Sequence, residues 1–505
     1  MTITPEISII PLPAIVEVRD NACFELPDSP SITGSAPVSE LACEQLSKDT
    51  GRSWQVADAE SPSPATVRLV IIEESRLGPE GYYLDVADDG ITIKASTDAG
   101  LFYGIQTLRQ LCSPDQKGAV AHLHIEDAPR FAWRGMHLDV SRHFFDGKFV
   151  RYFIDLLAQH KINVFHWHLT DDDGWRIELD AFSDLTERTA WRGKDEALPP
   201  SYDTGDARYG GSYSKSEISN IIDYAAARNV MIVPEIDVPG HCKPVTVCFP
   251  ELLCEGDISS FKSVQDVAEN LLCAGREETF EFLAEIIKEV SALFPSPYIH
   301  MGGDERPEGP WEQCPRCAQR IAAEDLENVD ALQGYFMERV RKLVAEQGKT
   351  MVGWNEITHG NRVDRSAIVT AWQSPDKGIE AARAGYSVVM APAQHTYFDL
   401  AQGDDPSEPG LRWAGVVTLQ KAYEWEPIPD PELTERVLGI QGCLWSETLV
   451  DEARADYMAF PRLCALAEVA WTPAARQSFP DFKKRLAPTH MARLKRSGVS
   501  DHGAI

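Results

Sequence analysis

From Phe131 onward the chain repeats one pattern, a short apolar run of strand length followed by a stretch long enough for a helix, which marks parallel βα units. Eight runs are legible: Arg134 to Val140, Asn163 to Leu169, Met231 to Ile236, Tyr298 to Gly302, Met351 to Trp354, Ala367 to Trp372, Ser387 to Ala391 and Leu438 to Trp445. Between them lie helical stripes. In Glu278 to Phe294, Leu283, Ile286, Ile287, Val290, Leu293 and Phe294 fall on one face. The pattern predicts an α/β fold, a (β/α)8 TIM barrel over residues 128–505, with the C-terminal ends of all eight strands converging on one rim. Ahead of it, Val67 to Ile72 and Tyr82 to Val86 are rich in strand formers, Asp88-Asp89-Gly90 makes a turn, Ile91 to Lys94 alternates as a hairpin partner, and Asp98 to Cys112 reads as a helix. Residues 1–127 therefore form a small non-catalytic α+β domain. It gathers no cluster of titratable groups, so its expected role is support.

Composition narrows the partners. With 78 acidic against 48 basic residues the chain carries a formal charge of -30, which repels polyanions and argues against nucleic acid or an anionic membrane. No apolar run approaches the roughly 18 residues of a membrane span, and Met1 to Val18 lacks the basic start and apolar centre of a signal peptide. Eleven scattered cysteines point to reduced thiols in a cytoplasm. Cys254 and Cys273 are the pair to watch. Oligomeric state is left open, and no cofactor or metal is called for.

The rim is where chemistry gathers. Strand one leads to Asp139 and Arg142, strand two to His166, His168, Asp171 and Asp172, and strand three to Glu235, Asp237 and His241. Strand four breaks at Gly302-Gly303 and delivers Asp304 and Glu305, while strands five to eight bring Trp354, Glu356, Trp372, Tyr397, Asp399, Trp445 and Glu447. Indoles, a tyrosine, an arginine and several carboxylates suit a neutral sugar, whose apolar face stacks on aromatics while its hydroxyls bond to charged groups. Two adjacent carboxylates in unlike environments would have their pKa values pushed apart, giving one proton donor and one anion. Neighbouring residues after a strand point in different directions, so a facing nucleophile must come from elsewhere or from the substrate itself.

Several ordered motifs carry a resemblance. Trp133-Arg134-Gly135-Met136-His137-Leu138-Asp139 with Ser141-Arg142-His143-Phe144, His166-Trp167-His168-Leu169-Thr170-Asp171-Asp172, Pro234-Glu235-Ile236-Asp237-Val238-Pro239-Gly240-His241 and His300-Met301-Gly302-Gly303-Asp304-Glu305 resemble successive signatures of family 20 β-N-acetylhexosaminidases. Gly353-Trp354-Asn355-Glu356, Trp413-Ala414-Gly415, Leu444-Trp445-Ser446-Glu447 and Pro461-Arg462-Leu463 extend the match, and Gly100 to Gln110 resembles the domain that precedes the barrel in that family. The resemblance implies an exo-acting, retaining hydrolase of terminal GlcNAc or GalNAc residues whose substrate's 2-acetamido group is the nucleophile, through an oxazolinium intermediate. It implies Glu305 as general acid/base, Asp304 orienting the acetamide, Tyr397 bonding the acetamide oxygen, and Trp354, Trp372 and Trp445 walling its methyl group. By the same matching Arg142, Asp399 and Glu447 clamp the hydroxyls, Trp413 stacks on the next sugar, and His241 with Asp171 supports the acid's protonation. Departures from the pattern are Met301, Asn355 and Asp173, the last expected to add charge near the entrance. The spacing of Cys254 and Cys273 resembles a loop bridge in secreted relatives, which sets a secreted or periplasmic location beside the cytoplasmic one.

Two other readings are open to the residues. His166-x-His168 followed by acidic residues is compatible with a metal-dependent barrel hydrolase. A sugar-binding protein without turnover would have no need of Asp304, Glu305 and His241 together. Cys314-Pro315-Arg316-Cys317 is half a zinc knuckle whose second half is not nearby in sequence, and it reads as a tight surface turn.

Overall fold

A computed structural model of the chain describes residues 7–57, 65–73, 76–112, 118–255 and 261–503. Eight parallel strands close a barrel: Trp133–Asp139, Val164–His168, Met231–Val238, Tyr298–Gly302, Thr350–Trp354, Ile368–Ala371, Ser387–Met390 and Val437–Gly442, the last pairing with the first. The expected runs are found within a few residues at each end. Strand eight stops at Gly442, three residues short of the expected Trp445, because the chain turns out of the sheet to present Trp445 and Glu447.

The floor of the barrel is apolar, plugged by Trp133, Val164, Val233, Val352, Ile368 and Val389. Above this layer the interior is polar. Glu235, fully buried, sits among His300 Nδ1 at 2.7 Å, His166 Nε2 at 3.1 Å, the Trp354 indole N–H at 2.9 Å and His168 Nδ1. The rim assignment of His166, His168 and Glu235 is thus corrected: each lies inside the barrel, because alternation turns these side chains inward before the strand ends.

Seven strands, the outermost in sequence being Ile15–Glu25 and Ala119–Asp127, form the sheet of the preceding unit, with helices Ala36–Thr50 and Asp98–Leu111 packed on it. Val67–Ile71 pairs parallel with Gly90–Ala95, and Tyr82–Ala87 pairs antiparallel with it, as the hairpin reading expects. That unit does gather charge, contrary to the sequence reading, and it does so where it meets the barrel. Asp127 accepts from Tyr82 (2.6 Å), Lys161 (3.0 Å) and the Trp471 indole, and Glu80 pairs bidentately with Arg134 at 2.8 Å. Buried ions tolerate this position because each is paired and hydrogen-bonded.

Three further expectations change. Asp173 does not face the entrance: it is buried, hydrogen-bonded to Ser201 and 3.8 Å from Arg192. Cys314 and Cys317 are not in a surface turn; both are buried, at the start of helix Pro315–Ala323, beside Cys254 and Cys273. All eleven cysteines are free, so Cys254 and Cys273 are not bridged to each other.

Candidate active site

Strand four ends in an abrupt turn that only glycine allows. Gly302 has φ +59° and a Cβ there would lie 1.5 Å from Asp237 Oδ1; Gly303 has φ +101° and its Cβ would meet Ile357 Cγ2 at 2.6 Å. The turn carries Asp304 and Glu305 onto the rim. Glu305 itself holds φ +41° and His241, after strand three, φ +54°, a left-handed backbone that costs a non-glycine residue about 1 to 2 kcal/mol and so is retained only under constraint.

These strained turns bring three groups together. His241 Nε2 stands 3.6 Å from Glu305 Oε2 and 3.7 Å from Asp304 Oδ2, and its Nδ1 stands 3.1 Å from Asp171 Oδ1. The second oxygen of Asp171 meets His168 Nε2 at 2.7 Å and Arg142 Nη2 at 2.8 Å. A continuous line therefore runs from Glu235 through His168, Asp171 and His241 to the two rim carboxylates. Asp139 fixes the adjoining wall: its Oδ1 accepts from the backbone N–H groups of Ser141 (2.7 Å) and Arg142 (3.2 Å), and its Oδ2 from that of Ser446 (3.0 Å). The ends of strands one and eight are thereby held together, with Arg142 and Glu447 between them.

The cavity above holds about 330 Å³ and is lined by Arg142, His241, Asp304, Glu305, Trp372, Tyr397, Asp399, Trp413, Trp445 and Glu447, together with Val264, Gln265 and Leu411. Trp372 lies parallel to Tyr397 at 6.1 Å, Trp413 meets both edge-on at 5.8 Å, and Arg142 lies 5.1 Å over Trp445. Trp413 is 55% exposed, at the mouth. Both carboxylate oxygens of Asp399, Oε2 of Glu447 and Oδ1 of Asp304 are buried without a hydrogen-bond partner, so the cavity faces a ligand with unmet acceptors. The segment bearing Tyr397 and Asp399 is pinned by Arg462, whose guanidinium donates to the carbonyl oxygens of Phe398 (2.6 Å), Leu400 (2.8 Å), Val417 (2.9 Å) and Met458 (2.6 Å). A larger cavity of about 530 Å³ opens at the opposite end of the barrel. Among the described residues Glu80 is its one carboxylate, and Arg134 already engages it.

Two expected site residues stand outside the lining. Trp354 is 1% exposed and lies beneath the cavity, its ring 5.7 Å from Trp445 and its N–H spent on Glu235. Asp171 lies behind His241. Gln265 is a site residue that the sequence reading missed. Its amide donates to Glu305 from a loop with no motif and no regular element, so only the fold could reveal it.

Electrostatics divide the pair, in an unexpected sense. Burial pushes Asp304 up to about 6, the charge of Glu305 adding to it against the pull of His241. Burial would also raise Glu305, but His241 and the Gln265 amide outweigh it and hold that carboxyl below its ordinary value. His241 resists its own burial and is held well above an ordinary imidazole by Asp171, then by Glu305 and Asp237. The pKa order of the two carboxyls is thus the reverse of the expected donor and anion, because the imidazolium faces Glu305. Across the cavity burial raises Glu447 to about 7, the Asp139 charge adding to it against Arg142, while burial and the Glu447 charge push Asp399 up.

Residues 131–474 match the model of the catalytic domain of glycosyl hydrolase family 20, and residues 6–128 match that family's domain 2. A β-hexosaminidase of Vibrio furnissii is 40% identical over 469 residues, covering 91% of this chain and 76% of that protein. A β-N-acetylhexosaminidase of Cellulomonas fimi is 35% identical, covering 96% of this chain and 93% of its own length. Among solved structures, an exo-β-N-acetylglucosaminidase of Vibrio harveyi in complex with N-acetylglucosamine superposes with a TM-score of 0.92 at 35% identity, over 98% of this chain and 78% of that one. The chain belongs to glycosyl hydrolase family 20, as a glycoside hydrolase with β-hexosaminidase activity.

Proposed function

We propose that this enzyme removes single β-linked N-acetylhexosamine residues from the non-reducing ends of oligosaccharides, with retention, using the substrate's own acetamide as nucleophile. The observation that carries the reading is the placement of Asp304 and Glu305 side by side at His241, under an aromatic-walled cavity sized for one small ligand. Glu305 is positioned to give a proton to the leaving glycosidic oxygen. As that bond breaks, the acetamide oxygen bonds to the anomeric carbon, and Asp304 accepts from the acetamide N–H and balances the positive charge that develops there. Tyr397 donates to the acetamide oxygen, and Trp372 and Trp445 wall the methyl group above the deeper Trp354. Glu305, now a carboxylate, takes a proton from the water that opens the oxazolinium, so the product keeps its configuration.

The proton inventory of the free site suits this cycle. Substrate brings Glu305 an oxygen lone pair, and His241, kept charged by Asp171 at its other ring nitrogen, supplies the proton from Nε2. The acetamide N–H draws Asp304 down from about 6 to the anionic form. Arg142, Asp399 and Glu447 enclose the far hydroxyls, and Trp413 at the mouth offers a stacking face to the next sugar. Such an end wall supports exo action, with monomers leaving a tetramer one at a time.

A pair of aryl β-glycosides that differ only at C2 tests the mechanism. Loss of the acetamide as a mere contact costs a few kcal/mol, whereas loss of an internal nucleophile forfeits up to about 7 to 11 kcal/mol. The 2-hydroxy compound is expected to be almost inert. A covalent sugar trapped on any carboxylate by a 2-fluoro glycoside refutes the proposal.

A further inference from the structure

Four buried cysteines that the hydrolytic site does not use meet beside the barrel. Cys254 follows the short turn Pro250–Leu252, Cys273 lies at the end of the loop that carries Val264, Gln265 and Asn270, and Cys314 and Cys317 flank the first turn of helix Pro315–Ala323. Sγ of Cys273 stands 3.8 Å from that of Cys314 and 3.7 Å from that of Cys317, and Cys254 stands 3.9 Å from Cys317. All four sulphurs lie within 4.8 Å of one another. A disulfide needs about 2.05 Å. Four sulphurs at about 2.3 Å from a common centre, arranged tetrahedrally, are roughly 3.8 Å apart, which is the spacing of the three pairs above.

We propose that Cys254, Cys273, Cys314 and Cys317 form a tetrathiolate site for one structural zinc ion. The backbone is shaped for it. Cys314-Pro315-Arg316-Cys317 supplies the two-residue spacing of a knuckle, and a Cβ on Gly275 would lie 2.4 Å from the Arg316 carbonyl carbon, so glycine is what lets the chain after Cys273 lie against that turn. Thr279 and the Cys254 side fasten the rest: the Thr279 hydroxyl donates to the Cys273 carbonyl (2.9 Å), and the Cys273 N–H donates to the Leu252 carbonyl (2.9 Å). Four soft sulphur donors closed from solvent suit a four-coordinate structural ion, and the two-residue knuckle spacing favours zinc among the thiophilic metals. Binding exchanges four thiol protons for one Zn²⁺, leaving a complex of charge -2 and releasing four protons.

The ion sits at the root of the active-site wall. The loop it anchors sends Gln265 to Glu305, and Asn270 both to Asp172 Oδ2 (2.8 Å) and, through its carbonyl, to the Cys242 N–H (3.0 Å), next to His241. Zinc thereby joins the segments that follow strands three and four and fixes the ground on which the acid stands.

The test is elemental analysis of the full-length enzyme purified under reducing conditions without chelator. One zinc per chain is expected, released by a mercurial thiol reagent and captured by a chromogenic chelator, so that the result does not depend on a variant folding. Cys317→Ser and Cys273→Ser are expected to lose the ion and melt at lower temperature. Glu235→Gln keeps it, which separates this site from the imidazole cluster in the barrel. Replacement of zinc by cobalt(II) is expected to give the visible spectrum of a tetrahedral thiolate. A folded, active enzyme without metal and with these thiols free, a disulfide between any two of the four, bound iron in place of zinc, or zinc that persists in the cysteine variants overturns the proposal.

Discussion

Asp171→Asn tests the electrostatic logic of the site, because it removes one charge and keeps shape, at the cost of one of the two acceptor oxygens. Asp171 Oδ1 lies 3.1 Å from His241 Nδ1. At an effective dielectric constant of about 20, unit charges at that separation attract by about 5 kcal/mol. That attraction is the largest favourable contribution to the elevation of the His241 imidazolium, so removing it lowers His241 toward its ordinary value. Glu305 and Asp237 remain to favour the imidazolium, so the expected fall is partial. In the proposed cycle kcat/KM rises with pH as Asp304 ionises near 6 and falls once His241 gives up its proton. The assay is kcat/KM for an aryl β-N-acetylhexosaminide from about pH 4 to 10, with circular dichroism at each pH because His168 and Arg142 also lose a charged partner. The alkaline limb of the variant is expected to move down while the acid limb stays near 6. The sign also holds for stability: His241, raised in the folded protein, contributes fully below the ordinary value near 6.5, and its contribution is lost as pH rises through its folded value. An unmoved alkaline limb in a folded variant refutes that role of Asp171.

Three substitutions probe the remaining parts. Glu305→Gln is expected to lower kcat by about 10² to 10⁴ on disaccharides and much less on activated aryl glycosides, with KM little changed; equal small losses on both would place the acid elsewhere. Trp445→Ala opens the wall beside Arg142 and is expected to raise KM more than it lowers kcat, read from steady-state kinetics alongside a melting curve. Gly302→Ala forces a Cβ into Asp237 at 1.5 Å with φ already positive, so activity is expected to collapse and the melting temperature to fall by several degrees; a wild-type melt would show that the turn is slack.

The fold was legible because each barrel strand is a contiguous apolar run flanked by helix-length segments, and Tyr298–Gly302 is found where the pattern places it. The site was legible where chemistry follows a strand directly, as with Asp304, Glu305, His241 and Trp445. Depth was not. Period-two alternation assigns a side, and the sequence does not say how far below the rim Glu235, His166 and Trp354 lie, so interior groups were read as rim groups. Gln265 and the cysteine cluster were hidden for a different reason: Cys273 meets Cys314 across 41 positions, through loops whose path no local pattern specifies. The protonation order of Asp304 and Glu305 depends on where His241 Nε2 stands, a distance set by two left-handed turns.

The central claim is that the substrate's acetamide attacks the anomeric carbon. The most direct measurement is the Kd of a thiazoline analogue of the cyclised intermediate, set against that of N-acetylglucosamine. A site built around that intermediate is expected to bind the thiazoline at least about 10²-fold more tightly, with the preference reduced in Asp304→Asn because the anion facing the ring nitrogen is gone. Equal affinity for the two compounds would contradict the account.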